Sequence, residues 1–165
     1  MTRYRLTNSV SKSIEEWHSL YEQKIGESFE LLKGFAIHYL PHRGIANIGM
    51  FEDKKCIVLH EVSGDARFWH DYAELIGLGL GYEYMATVCT RSIYPYIRFW
   101  HWEILEEYKS QGQLRFLCKD YKGAYVVITQ RGICKGNGLP SFWVTKYLRE
   151  REKPILKEIE VNKSV

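Results

Sequence analysis

Between residues 35 and 62 three apolar runs follow one another with only a few residues between them, and no other pattern narrows the available folds as much. FAIHYL (35–40) ends in Pro41-His42-Arg43-Gly44, a turn carrying both Pro and Gly. IANIGMF (45–51) ends in the charged turn EDKK, and KCIVLHEV (55–62) closes the series. Strand-length runs separated by Pro, Gly and charge predict an antiparallel meander. The third run is mostly apolar, which predicts a strand covered on both faces.

Helical patterns flank this block. Residues 1–12 read as a polar arm or short edge strand. Ser13 and Glu16 then form a capping box, and Ile14, Trp17, Leu20 and Tyr21 share one face, predicting a helix from Ile14 to Lys24. SFELLK (28–33) predicts a second short helix ending at Gly34. After Ser63-Gly64, the residues Ala66, Trp69, Tyr72, Ala73 and Ile76 recur at helical spacing, with Gly79 or Gly81 closing the helix. YEYMATVCT (82–90) predicts a fourth, buried strand.

IYPYIRFWHWEILEEY has Pro95 in its first turn and is apolar around most of its circumference, as a helix over about 92–108 would be. QLRFLCK and AYVVITQ, joined by Asp120-Tyr121-Lys122-Gly123, predict a closing hairpin, and Gly132 to Gly138 a flexible glycine-rich loop. Ser141 caps an expected last helix, FWVTKYLRERE, so that 141–165 reads as a charged helix and tail. The fold class expected is α/β (α+β): one domain spanning 1–165, with a mixed, mostly antiparallel central sheet flanked by helices. A right-handed crossover is expected where the third and fourth strands run side by side in parallel.

Composition limits the setting. A chain of 165 residues fits one domain able to bury roughly 70% of its unfolded surface, and 15% aromatic residues supply a core. Cys56, Cys89, Cys118 and Cys134 show no CxxC spacing, which predicts reduced thiols and a cytoplasmic protein rather than a disulfide framework or zinc site. The start, MTRYRLTNSV, lacks the apolar core of a signal peptide. No apolar run reaches about 18 residues, so no membrane span is expected. A net charge of +3 suits anionic ligands without implying nucleic acid.

The order of helices, meander, helix, strand, helix and strands resembles the GNAT N-acetyltransferase superfamily. In that family the pyrophosphate of acetyl-CoA binds where a central strand meets its helix, through a motif Q/R-x-x-G-x-G/A. The matching stretch here is Glu61-Val62-Ser63-Gly64-Asp65-Ala66, with the glycine and the final small residue in place but Glu at the first position. The resemblance covers about residues 13–130. It implies a cofactor site at Val62, Ser63, Gly64, Asp65, Ala66 and Arg67, whose backbone amides at the helix start would face phosphate. Two carboxylates beside a pyrophosphate oppose that role by like-charge repulsion. Asp65 also suits plain helix capping.

The resemblance further implies a base and an acid. Glu61 is the carboxylate of the expected central strand and the base candidate, with a solvated strand-end carboxylate as the plainer reading. Tyr108 precedes Gly112 by four residues, resembling the family's Tyr-x-x-x-Gly-Phe ending, although Gln113 replaces the aromatic. A second register ends the helix near Trp100, starts a strand at Trp102, and brings Tyr94 or Tyr96 toward the cleft. The pattern does not choose between the two.

Other groupings carry less. His38 and His42 have HxxxH spacing, but Pro41 breaks the helix such a metal pair needs. His60 and His70 have no supporting cluster. Cys89 lacks the Arg a phosphatase loop requires, since position 95 is Pro, and reads as a buried small side chain. Thr90-Arg91-Ser92 makes a second strand-to-helix turn where Arg91 suits an anion. Phe68, Trp69, Tyr72 and the FWHW band (99–102) suit either a core or stacked nucleobases, and Arg67, Arg91 and Arg98 suit coenzyme A phosphates or nucleic acid equally well, with Arg91 a further cofactor-binding candidate. Three functions follow. The first is an acyl-CoA-dependent N-acyltransferase using acetyl-CoA and an unknown amine. The second is a catalytically inactive binding protein, of a phage or virion-associated kind, with a protein partner. The third is a nucleic-acid-modifying or nucleic-acid-binding protein.

Overall fold

The computed structural model describes residues 11–133 and 138–159. The N-terminal arm as far as residue 10, the middle of the glycine-rich loop (134–137) and the tail beyond 159 lie outside the described residues. The chain divides into two compact units, Met1–Tyr82 and Glu83–Val165.

In the first unit, helix α1 (Ile14–Ile25) begins as its sequence dictates. Ser13 Oγ accepts the Glu16 N–H and Glu16 Oε1 accepts the Ser13 N–H, each at 3.1 Å, and Gly26 closes the helix. The meander follows as β1 (Phe35–Leu40), β2 (Gly44–Phe51) and β3 (Cys56–Gly64), all antiparallel. Pairing of Ile45 with Ser63 and of Ala46 with Val62 sets its two faces. Ile45 packs with Tyr21 and Phe29, and Ser63 Oγ donates to Trp17 O, so α1 covers that face. Helix α2 (Ala66–Gly79) covers the other, where Tyr72 Oη meets His38 Nδ1 at 2.8 Å. It ends at Gly81 through Gly81 N–H to Leu78 O and Tyr82 N–H to Gly77 O, a Schellman closure.

The expected second helix at 28–33 does not form. Its carbonyls serve side chains instead: Phe29 O accepts from His18 Nε2 and Glu30 O from Asn47 Nδ2. Six residues cannot repay helix nucleation unless a face is buried, and Leu31 and Leu32 are exposed.

The second unit holds β4 (Tyr84–Cys89), α3 (Ile93–Phe99), β5 (Glu103–Ser110), β6 (Gln113–Lys119), β7 (Tyr125–Ile133) and β8 (Pro140–Tyr147). Its strands lie in the order β4-β8-β7-β6-β5, antiparallel throughout. The protein is thus α+β and mostly antiparallel, with three α-helices among the described residues.

Two sequence expectations are corrected here. The long helix over 92–108 stops at Phe99, because His101 adopts φ +58°. His101 N–H then bonds Arg98 O and Trp102 N–H bonds Ile97 O, while Trp102 packs with Ile97 in the core. This is the second register of the sequence pattern, and it leaves Tyr108 on a strand. Gln111 and Gly112, both at positive φ, supply the two-residue turn that folds β5 onto β6.

The expected C-terminal helix is strand β8. Phe142 and Val144 face a core built with Cys89, Ile93, Ile97, Trp102, Phe116 and Ile128. Trp143, Thr145 and Tyr147 take the opposite face, a two-residue period rich in β-branched and aromatic side chains. On that face Leu117 and Val127 are covered by the returning tail through Leu156, which sits in a 3-10 turn (Leu156–Glu158).

His101 holds a left-handed conformation that costs a side-chain-bearing residue roughly 1 kcal/mol. It is exposed, so His101→Gly should raise unfolding stability by about 1 kcal/mol in urea titration. A destabilised variant would contradict this account of the helix end.

Candidate functional site

Strand β3 leaves the meander at Gly64 and α2 begins at Ala66, so Asp65 alone connects them. Asp65 is the N-cap: its Oδ1 accepts the Phe68 N–H at 3.1 Å. Its Oδ2 accepts from Arg43 Nη1 at 2.6 Å. Arg43 is itself largely buried, with its guanidinium 5.1 Å from the Phe68 ring centroid. The Arg43 carbonyl accepts twice, from the Asp65 N–H at 2.8 Å and from Trp69 Nε1 at 2.9 Å.

Gly64 has a structural reason to be glycine. It pairs with Gly44 at φ +118°, and a Cβ on it would lie 2.4 Å from Arg43 O and 2.9 Å from Gly44 Cα. The close approach that the motif suggests is therefore made by the protein's own backbone. Val62 pairs with Ala46, Ser63 is tied to α1, and Ala66 and Arg67 form the first turn of α2. The six residues expected to cradle a phosphate do form one strand-to-helix turn, and at its centre Asp65 and Arg43 neutralise each other.

Glu61 owes its position to a bulge. Between the pairs Ala46–Val62 and Ile48–Leu59, Asn47 of β2 stands opposite both His60 and Glu61 of β3. Such an extra residue re-aims side chains. Buried Glu61 accepts from Asn47 Nδ2 at 2.9 Å, and the same amide nitrogen donates to Glu30 O at 2.8 Å. His60 Nδ1 lies 3.5 Å from Glu61 Oε1, and its ring stands edge-on to Phe35. Asn47 Oδ1 is buried without a partner. The arrangement holds a carboxylate beside an imidazole, a geometry from which a base can act.

The remaining candidates lie in the second unit. Tyr108 is on β5 opposite Arg115, half-buried among Leu105, Leu117 and Leu156, rather than at a helix end. Tyr94 Oη donates to Glu107 Oε2 at 3.2 Å. Partial burial and that carboxylate raise its pKa. Burial beside Cys89 also pushes the Tyr96 phenol well above its ordinary value. Arg91 is exposed ahead of the seven-residue α3. The thiol of Cys89 donates to Arg91 O and is raised by burial to about 11. Of the aromatics considered for base stacking, Trp69 and Trp102 are buried, and Tyr72 is bonded to His38. His38 is likewise used there, its pKa lowered by burial. No group of three or more His, Cys, Asp or Glu suited to a metal occurs among the described residues.

Arg43 and Asn47 are the two site residues that sequence reasoning missed. Arg43 sits inside PHRG and reads as turn punctuation. Asn47 is a lone polar residue in the apolar run IANIGMF, and that anomaly was its available signal. Comparison with protein family models, with curated proteins and with solved structures gives no match.

Gly64→Ala should cost at least about 3 kcal/mol in urea unfolding, because backbone rather than a movable side chain fills the space. Asp65→Ala should cost about 1–3 kcal/mol and Asp65→Asn, which keeps the cap, distinctly less. Equal losses for the two Asp65 variants would remove the capping role.

Proposed function

We propose that this chain is a catalytically inactive binding protein built on a GNAT-like order of elements. The observation that carries the reading is the bond from the Asp65 N–H to Arg43 O at 2.8 Å, made where an acetyl-CoA pyrophosphate would need that amide. Three further features support it. The Asp65 carboxylate occupies the positive end of α2, where a ligand phosphate would otherwise gain from the helix dipole. The cation beside it, Arg43, is already paired. Tyr108 stands on a strand among apolar neighbours.

A second reading, acyl transfer from acetyl-CoA to an amine, is favoured by Glu61. A buried carboxylate on a bulge beside an imidazole suits a base that takes a proton from an amine. That reading requires the cofactor to displace Asp65 from Arg43 and from the helix end.

Calorimetric titration and thermal unfolding with millimolar acetyl-CoA separate the two. The binding reading expects neither heat nor a shift in melting temperature. A ligand bound only by the folded state stabilises it in proportion to RT ln(1 + [L]/Kd). A saturable shift retained by Glu61→Gln would establish cofactor binding and overturn the inactive reading.

A further inference from the structure

The second unit carries a net positive charge. It has 14 Lys and Arg against 9 Asp and Glu, a formal +5, whereas the first unit has 9 against 11, a formal −2. Several of these cations lie on aromatic rings, and the pairs concentrate at one end of the sheet. Lys119 of β6 pairs with Tyr125 of β7, and its Nζ is 5.4 Å from that ring centroid. Val126 pairs with Lys146, which sets Tyr125 beside Tyr147 of β8, and Tyr147 pairs with Tyr84 of β4. One row, Lys119–Tyr125–Tyr147–Tyr84, therefore crosses four adjacent strands on one face.

Arg151 lies on this row. Its guanidinium carbon is 4.4 Å from the Tyr147 centroid and 5.8 Å from that of Tyr84, and Nη1 donates to Tyr84 Oη at 3.1 Å. Arg151 is exposed and the three tyrosines are half-buried. In the adjoining turn, Lys122 lies over Tyr121, which is 63% exposed. The nearby carboxylate of Asp120 is buried and joined to Lys146 Nζ at 3.0 Å, so it does not offset these cations; exposed Glu103 of β5 pairs with Lys119 at the end of the row, and Glu83 acts on Arg151, which Glu150 and Glu152 flank in the chain.

We propose that this tyrosine–cation row is a docking strip for single-stranded nucleic acid, an assignment that rests on reading the chain as a binding protein. Four strands at about 4.8 Å spacing span about 14 Å, the scale on which sheet-borne aromatics hold two or three bases. Cations beside aromatic rings supply both components of single-strand binding, a phosphate-tracking charge and faces for stacking. An acidic protein surface would meet the cations but has no use for ordered rings, and a duplex hides its base faces.

The test is fluorescence anisotropy of labelled oligothymidylate with the full chain. Binding should weaken about 20-fold between roughly 50 and 200 mM salt for three phosphates neutralised. Arg151→Ala, at an exposed position, and Tyr121→Ala should each weaken it about tenfold, whereas Lys55→Ala in the first unit should change nothing. Absence of binding at low salt, equal affinity for duplex, or an unaffected Arg151→Ala would each overturn the proposal. These outcomes are independent of acetyl-CoA binding, so failure here leaves the titration above to decide the broader reading.

Discussion

The carbonyl of Arg43 ties the first unit's meander to its second helix. Its two lone pairs meet the Asp65 backbone N–H and the Trp69 indole N–H, while the guanidinium of the same residue holds the Asp65 carboxylate. One residue in the β1–β2 turn thereby fixes the exit of β3, the start of α2 and the seating of a tryptophan that is 1% exposed. Each neutral hydrogen bond contributes about 1 kcal/mol, and the loss of a partner costs more because the carbonyl is then buried unpaired. The glycine pair Gly44–Gly64 is a consequence, since only two residues without Cβ let these backbones approach so closely.

The second unit solves a different problem. A five-stranded antiparallel sheet has two faces to cover, and among the described residues of this unit the short helix α3 packs on one of them. The aromatic group of Tyr96, Trp100 and Trp102 extends that cover, with Trp100 and Trp102 stacked at 17°. The other face is closed by the chain returning after β8, where Leu156 is buried and Arg115 Nη1 donates to Leu156 O. At the sheet's end Asp120 is satisfied by Lys146 and by the N–H groups of Lys122 and Ala124. A fully hydrogen-bonded carboxylate tolerates burial in a way that a lone one does not. Residues sent to one face for structure thus leave cations and tyrosines at its margin.

Local chemistry was legible where a few neighbouring residues decide the outcome. Ser13 with Glu16 and the PHRG and EDKK turns read correctly, and Asp65 as a cap and Gly81 as a helix end were each one of two readings the pattern offered, because each device spans fewer than five residues. Misreadings arose where remote contacts decide. His101 turns left-handed because Trp102 gains a core position from it, and no pattern near His101 announces that. FWVTKY lies beside a charged stretch, LREREK, and charge spacing there imitates a helix. Its partners on β4 and β7 are about 55 and 15 residues away, and they make it a strand. Glu61 was visible as an acid in an apolar strand, but the bulge that turns it toward Asn47 depends on pairing register.

The same limit explains why a cofactor motif and a structural turn look alike on paper. Both need a small residue without Cβ at close quarters, then a helix whose first amides require acceptors. In a phosphate site the acceptor arrives with the ligand; here it arrives with residue 43, encoded some twenty positions earlier. A glycine followed by a small residue specifies only that something approaches. What approaches is decided by the opposing strand, and an arginine there, whose carbonyl and side chain both point at the turn, fills the place of a ligand with the chain itself.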